Sequence, residues 1–218
     1  MRKDHLKYRD EYLYQDERFF QYNSDTTALG ESLDPMFNKT VLDIGTNNGA
    51  LLLYASIKGA NHLIGCDLFE DALKVASLNL EQTEKPYELI CSKVQDLNIE
   101  PVDVIICNPP YFEANTKRED EHYNAAMFED SLTLDDMFSS YRRLLKDNGC
   151  VYMLYSAERF NEVFMMCEKY KLKIMWMRFV HDERKDYALR VILKLKIGPM
   201  SKSQTRKPII IRENEIDV

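Results

Sequence analysis

Beyond residue 40 the chain alternates short apolar runs with amphipathic ones, the rhythm of strands and helices following one another. Val41-Leu42-Asp43-Ile44 is a short apolar strand, Gly45-Thr46-Asn47-Asn48-Gly49 a turn-rich loop, and residues 50–55 open a helix directly from it. Residues 62–66 make a second strand that ends at Asp67, followed over 70–80 by a helix with Ala72, Leu73, Ala76 and Leu80 inward. A third strand is expected at 87–91. The fourth, at 102–107, is apolar on both faces, as a central parallel strand must be. After a long polar stretch, Thr133 and Asp136 give a capping-box start to a helix whose Leu134, Met137, Phe138, Tyr141 and Leu145 share a face, closing at Asn148-Gly149. A strand at 151–155 and a helix at 157–170 come next. Strands at 173–180 and 188–197 are joined by the charged turn 181–186. The second alternates Val191, Leu193, Leu195 and Ile197 against Arg190, Lys194 and Lys196, which implies one exposed face.

Ahead of this rhythm, residues 1–18 are polar and helix-permissive, and Ser24 or Asp25 would cap a short helix reaching Leu33 and ended by Asp34-Pro35. The alternation of strands and helices, with the last two strands joined too closely for a crossover, predicts an α/β fold. Its sheet would be seven-stranded and mostly parallel with one antiparallel strand, with helices on both faces. Ligands of such sheets bind beyond the strands' carboxyl ends, where residues 43–49, Asp67, Asp96 and Asn108 all fall. No linker or repeat interrupts residues 1–218, so one domain is expected.

Composition changes this picture little. The 218 residues are 45% hydrophobic, enough for a substantial core, and no apolar run approaches a membrane span. The N-terminal stretch is charged where a signal peptide would be apolar, so an intracellular protein is expected. Cys66, Cys91, Cys107, Cys150 and Cys167 lack the short paired spacing of a zinc site and suit buried thiols in a reducing compartment. A net charge of −7 argues against a nucleic-acid partner, but residues 187–212 carry Arg190, Lys194, Lys196, Lys202, Arg206, Lys207 and Arg212 and no acid. That stretch reads equally as a local basic patch or as an edge strand whose lysines discourage aggregation.

Two features carry candidate chemistry. Strand, glycine loop and helix N-terminus at 41–55 make a nucleotide-sized niche, since glycines let the backbone approach a ligand and free amides face it. It is neither the dinucleotide fingerprint nor a phosphate loop. Asp67 lies 20 residues past Asn47, the offset at which a second-strand carboxylate meets ribose hydroxyls, although an ordinary helix cap has the same spacing. Asp96 could accept from an adenine's amine, or be a turn aspartate. The second feature is Asn108-Pro109-Pro110-Tyr111. Consecutive prolines stop the strand in a rigid turn that presents Asn108 and Tyr111 at its carboxyl end.

These residues resemble the class I S-adenosylmethionine-dependent methyltransferases, with 43–49 as the cofactor loop and Asn108-Pro109-Pro110-Tyr111 as the amino-methylating motif. More narrowly the chain is similar to bacterial tRNA(Val) adenosine-37 N(6)-methyltransferases, through residues 19–26, 131–136, Glu158-Arg159-Phe160 and Arg178-Phe179-Val180-His181. The resemblance implies a Rossmann-like fold, a cytoplasmic enzyme, S-adenosylmethionine as cofactor and the anticodon region of a tRNA as partner, in a monomer or weak dimer. It assigns the cofactor to Asp25, Thr26, Asp43, Gly45, Asn47, Gly49, Asp67, Asp96 and Asn108. Residues 1–39 become a covering extension and 198–218 a basic tail. For the RNA it leaves Tyr111 and Phe112, Lys117 and Arg118 of the long polar connection, and Lys194, Lys196, Arg206 and Lys207. The resemblance also implies an aromatic amine as the nucleophile here, a poor one because its lone pair is delocalised into the ring. The Asn108 side-chain carbonyl and the Pro109 backbone carbonyl could both accept from it and push its nitrogen towards tetrahedral geometry. Tyr111 and Phe112 would stack on the base, and no metal is required. Where the family usually carries another glycine this chain has Asn47, and Met127-Phe128 stand where relatives tend to have Arg-His. The same proline motif also serves glutamine N(5) and guanine N(2) methyltransferases, and a catalytically weak RNA-binding relative is a third reading.

Overall fold

A computed structural model describes residues 1–109, 132–199, 201–212 and, for the backbone, 215–217. Its centre is a parallel block. Strands β3 (Thr40–Ile44), β4 (His62–Asp67), β5 (Tyr87–Cys91) and β6 (Val102–Cys107) are built from β-branched and apolar residues buried on both faces at β3, β4 and β6. Ile44 pairs with both Cys66 and Cys107, so the loops after β3, β4 and β6 leave the sheet side by side. The long strand β7 (Leu145–Ser156) adds to β6 in parallel, β9 (Ala188–Ile197) runs antiparallel to β7, and β8 (Leu172–Asp182) antiparallel to β9. Order β5-β4-β3-β6-β7-β9-β8, with β9 alone reversed, is the expected mostly parallel sheet of seven strands.

Helices α1 (Ser24–Glu31) and α2 (Ala50–Ile57) cover one face, burying Leu29 and Leu52 with Ile106, Tyr152 and Ile192. Helices α4 (Leu134–Leu144) and α5 (Phe160–Tyr170) cover the other, burying Phe138 and Val163 with Ile105, Met153 and Leu193. Helix α3 (Glu70–Leu80) follows β4 and turns Ala72, Val75, Ala76 and Leu80 inward. Among the described residues no helix is long and apolar enough to cross a membrane.

Several expectations are corrected. Residues 1–18 fold not as helix but as the hairpin β1 (Arg2–His5) and β2 (Tyr12–Gln15). The cap of α1 is Asn23, one residue earlier than expected, and the helix ends at Glu31. The Thr133–Asp136 capping box forms as read, yet α4 stops at Leu144 because β7 draws residues 145–149 into the sheet, and α5 starts at Phe160 rather than 157. Residues 198–218 also extend the sheet: β10 (Gln204–Thr205) and β11 (Ile209–Arg212) run parallel to β8, and β12 (Glu215–Asp217) antiparallel to β11.

The expected exposed face of β9 is covered as well. Ile192 on that face is fully buried. Arg190 donates to Asp25 at 3.2 Å, and Lys194 reaches Asp34 at 2.7 Å. Asp34 also accepts from Tyr152 Oη at 2.9 Å and from Arg206 at 3.1 Å, while the Arg206 guanidinium lies 4.0 Å from the Trp176 ring centroid. Despite a desolvation that works the other way, bonds from Lys194, Tyr152 and Arg206 hold the Asp34 carboxyl below its usual range.

The hairpin is held by two side-chain amides, Asn79 at the end of α3 and Gln82 in the 3₁₀ turn Glu81–Thr83 that follows it. Asn79 accepts from Tyr14 N at 2.6 Å and donates to Tyr14 O at 2.9 Å and Asn48 O at 2.8 Å. One helical turn on, Gln82 accepts from Tyr12 N at 3.2 Å and donates to Tyr12 O at 2.8 Å. The two amides pair with alternate residues of β2 as a neighbouring strand would. Asn79 has no exposed surface, so Asn79→Ala leaves backbone groups of Tyr14 and Asn48 buried without partners. We expect a loss of about 3 kcal/mol and a Tm lowered by roughly 6–12 °C in thermal unfolding; a shift under about 2 °C would remove this docking role.

Candidate active site

The rim where β3, β4 and β6 end gathers most of the cofactor residues expected from sequence. Gly45 and Gly49 take φ values of 72° and 78°, the left-handed region where only glycine is free of strain. A Cβ at Gly49 would meet Ala76 Cβ at 3.3 Å, so that glycine lets α2 pack on α3. At Gly45 a Cβ would meet nothing within 4 Å among the described residues, leaving open space beside bare backbone. The loop is braced from β4, with Gly45 N and Thr46 N donating to Cys66 O at 2.8 and 3.0 Å.

Asn47, where a glycine was the usual residue, adopts φ 49°, a left-handed conformation that asparagine tolerates. Its backbone N–H donates to Asp67 Oδ2 at 2.8 Å, and its side-chain Nδ2 donates to Phe20 O at 2.5 Å. Asn47 thus ties the loop to the second-strand carboxylate and to the N-terminal segment at once. The other oxygen of Asp67 accepts from Phe69 N at 3.1 Å.

Behind the loop, Asp43 is 1% exposed, and neither of its oxygens has a hydrogen-bond partner among the described residues. Burial pushes this carboxyl up to about 8; the nearby Thr46 hydroxyl opposes the shift and the charge on Asp67 adds to it. The Asn47 Oδ1 and Asn108 Oδ1 atoms are likewise buried with no partner among the described residues. Thr46 Oγ1 is unpartnered in the same way, and native structures rarely leave buried polar atoms unpaired, so Asp43, Thr46, Asn47 and Asn108 together mark a place built to receive a ligand.

Asn108 leaves the sheet directly after β6, and Pro109 is buried beside it. Pro110, Tyr111, Phe112, Lys117 and Arg118 lie outside the described residues. Asp96 is exposed at the end of a single 3₁₀ turn, Val94–Asp96, beyond β5. Arg143 of α4 clamps that turn by donating to Leu97 O, Val94 O and Gln95 O at 2.5, 2.7 and 3.3 Å, a role sequence reading missed. Asn79 was missed too, though an asparagine one turn beyond Val75 and Ala76 on the apolar stripe of α3 is a legible anomaly.

Asp25 and Thr26 stand in the first turn of α1. Asn23 Oδ1 accepts from Asp25 N at 3.0 Å, Thr26 N at 3.1 Å and Thr26 Oγ1 at 3.3 Å. The Asp25 carboxylate faces Arg190 at the start of β9. The Phe20 bond from Asn47 links this turn to the cofactor loop. Of the basic residues assigned to RNA, the described ones, Lys194, Lys196, Arg206 and Lys207, are not brought to this rim. Lys194 and Arg206 are ion-paired with Asp34, and Lys196 sits opposite Cys150, which is level with Val104 near the start of β6. Lys207 is exposed beyond β8, its carbonyl accepting from Arg178 at 2.9 Å.

Residues 21–170 match the family described as methyltransferase small domain. The tRNA1(Val) (adenine(37)-N6)-methyltransferase of Phocaeicola vulgatus is 26% identical over 192 residues, covering 85% of this chain and 81% of that protein. Among solved structures, the fold is similar to a ribosomal protein L11 methylase from Lactobacillus delbrueckii subsp. bulgaricus, with TM-score 0.62, 16% identity and coverage of 84% and 83% of the two chains. A putative RNA methyltransferase from Pyrococcus horikoshii superposes with TM-score 0.62 at 16% identity, covering 89% of this chain and 92% of that one.

The buried carboxyl of Asp43 has a measurable signature. Held near 8 in the folded chain against about 3.9 unfolded, it keeps a proton on folding that the unfolded chain has lost. Stability should therefore fall as pH rises from about 4 to about 8. Asp43→Asn should flatten that slope in denaturant midpoints taken across the window; an unchanged slope would show that another group is responsible.

Proposed function

The chain belongs to the methyltransferase small domain family and uses S-adenosylmethionine on a class I fold, and from that premise we propose that it methylates the exocyclic N(6) amine of an adenine in tRNA, with adenosine-37 of tRNA(Val) as the preferred target. The observation that carries the reading is Asn108 Oδ1. It is a buried acceptor with no partner among the described residues, one strand away from the open space over Gly45. The substrate class rests on the relatives' names, the Phocaeicola vulgatus protein acting on adenine-37 of tRNA1(Val).

When bound, S-adenosylmethionine supplies an electrophilic methyl whose sulfonium charge vanishes on transfer, so the protein needs no metal to stabilise a developing anion. Asp67 holds ribose hydroxyls, Asp96 the adenine edge, and the backbone of Gly45, Asn47 and Gly49 lets that group lie against the loop. Asp43 lies buried behind the loop. Residues 1–39 form the covering extension, with Asp25 and Thr26 over the far end of the crevice. Asn108 Oδ1 and the Pro109 carbonyl accept from the substrate amine, localising its lone pair and directing it into the crevice. The stiff proline turn sets these acceptors before substrate arrives. Tyr111 and Phe112 stack on the extruded base. The proton leaves to water after transfer.

Asn108→Ala should lower turnover by roughly a hundredfold or more, as loss of one preorganised hydrogen-bonding group does elsewhere, while calorimetry finds cofactor affinity within a few-fold. The assay is transfer of labelled methyl to unmodified bulk tRNA, followed by nucleoside analysis. Full activity would refute the acceptor role, and label on guanosine or on protein would replace the adenine assignment.

A further inference from the structure

At the end of the sheet that carries Asn108, beyond β7, an open groove of about 410 Å³ is lined by Ala157, Glu158, Phe179, Tyr187 and Ala188. None of these residues belongs to the cofactor loop or the proline turn. Resting on the RNA-methylation reading above, we propose that this groove binds the nucleobase next to the methylated adenine and selects bases that carry an exocyclic amine.

The position fits a neighbouring nucleotide. Met153 of β7 is level with Cys107, the residue before Asn108, and β7 continues to Ser156 before Ala157 turns away by donating to Leu189 O at 3.1 Å. Ala157 therefore stands about 10 Å further along the strand direction than Asn108 and one strand across. A nucleotide flanking a base extruded towards Asn108 passes this point.

The walls fit a base rather than a peptide or a sugar. Tyr187 is 46% exposed, an aromatic ring left on the surface beside the half-buried Phe179. Exposed aromatic rings around a groove of this size are stacking platforms for unpaired bases. Lys185 Nζ lies 5.9 Å from the Tyr187 ring centroid, placing a cation at the groove's outer lip where the phosphate of a stacked nucleotide would run.

Glu158 sets the selectivity. It is exposed, and its side chain has no hydrogen-bond or ion-pair partner among the described residues, whereas the adjacent Arg159 is held by Glu162. An ionised carboxylate only accepts. Adenine, cytosine and guanine present an amine to it, while uracil offers one N–H between two carbonyl oxygens that the carboxylate repels.

The test is steady-state methyl transfer to a tRNA transcript and to variants in which the base on either side of the methylated adenine is replaced in turn. Tyr187→Ala should raise KM for the transcript about tenfold with kcat within about twofold, a shift within the range measured for loss of one base–aromatic stack, and Tyr187→Phe should restore it. Calorimetric affinity for S-adenosylmethionine should be the same in all variants, which separates the groove from the cofactor site. The wild type should disfavour uracil at one flank, and Glu158→Gln, whose amide can donate to uracil, should erase that preference. A wild-type KM in Tyr187→Ala, or an unchanged base preference in Glu158→Gln, overturns the groove assignment and leaves adenine methylation standing. Absence of methyl transfer to any RNA by the wild type overturns both.

Discussion

The pairing of Ile44 with Cys66 on one side and Cys107 on the other is the constraint on which the rest of the site depends. In a parallel sheet all chains run the same way, so a shared register ends neighbouring strands at one level and releases their loops together. The glycine loop, Asp67 and Asn108 owe their proximity to that register alone. Their separations in sequence would otherwise let them lie anywhere. A slip of one residue would also turn the apolar positions of β3 from one helical layer to the other, which burial on both faces does not tolerate cheaply.

Upon this frame the N-terminal segment is fastened by polar groups as well as by the buried Leu6, Leu13 and Phe19. The amides of Asn79 and Gln82 stand in for a strand at the edge of β2, Asn47 reaches Phe20, and Asn23 caps α1. Tyr22 Oη adds a further node, accepting from Lys7 N at 2.9 Å and Thr27 Oγ1 at 2.7 Å while lying 3.0 Å from Tyr54 Oη. Hydrogen bonds of this kind are directional, so they fix the orientation of the segment more closely than side-chain packing would. Asn47, in the loop after β3, bonds at once to Asp67 and to Phe20 of that segment.

Charge is managed in the same manner at the far edge of the sheet. Asp25 and Asp34, from the helix layer, meet Arg190 and Lys194 of β9, and Arg206 of the C-terminal strands joins Asp34 against Trp176. A long cation buries its stem on apolar surface and needs only its head satisfied. A strand with alternating lysines can therefore lie under a helix when carboxylates face it. The consequence for function is that the acid-free stretch of sequence is not a free basic surface: three of its cations, Arg190, Lys194 and Arg206, hold the fold together.

Local chemistry determined much of this protein before any fold was known. Apolar runs set β3, β4 and β6, whose two faces are both buried, and Thr133 and Asp136 set the start of α4 through a bond confined to one turn. Those signals act within a few residues, and they were legible for that reason. The tertiary structure decided what depends on partners distant in sequence. Residues 1–18 became a hairpin because Asn79 and Gln82 supplied the edge that a two-stranded ribbon lacks. The polar face of β9 was buried because Asp25 and Asp34 came to meet it, and α4 ended early because β6 offered β7 a parallel neighbour. Periodicity records which positions are polar. Whether a polar position meets solvent or a counter-charge is settled only when the other element arrives.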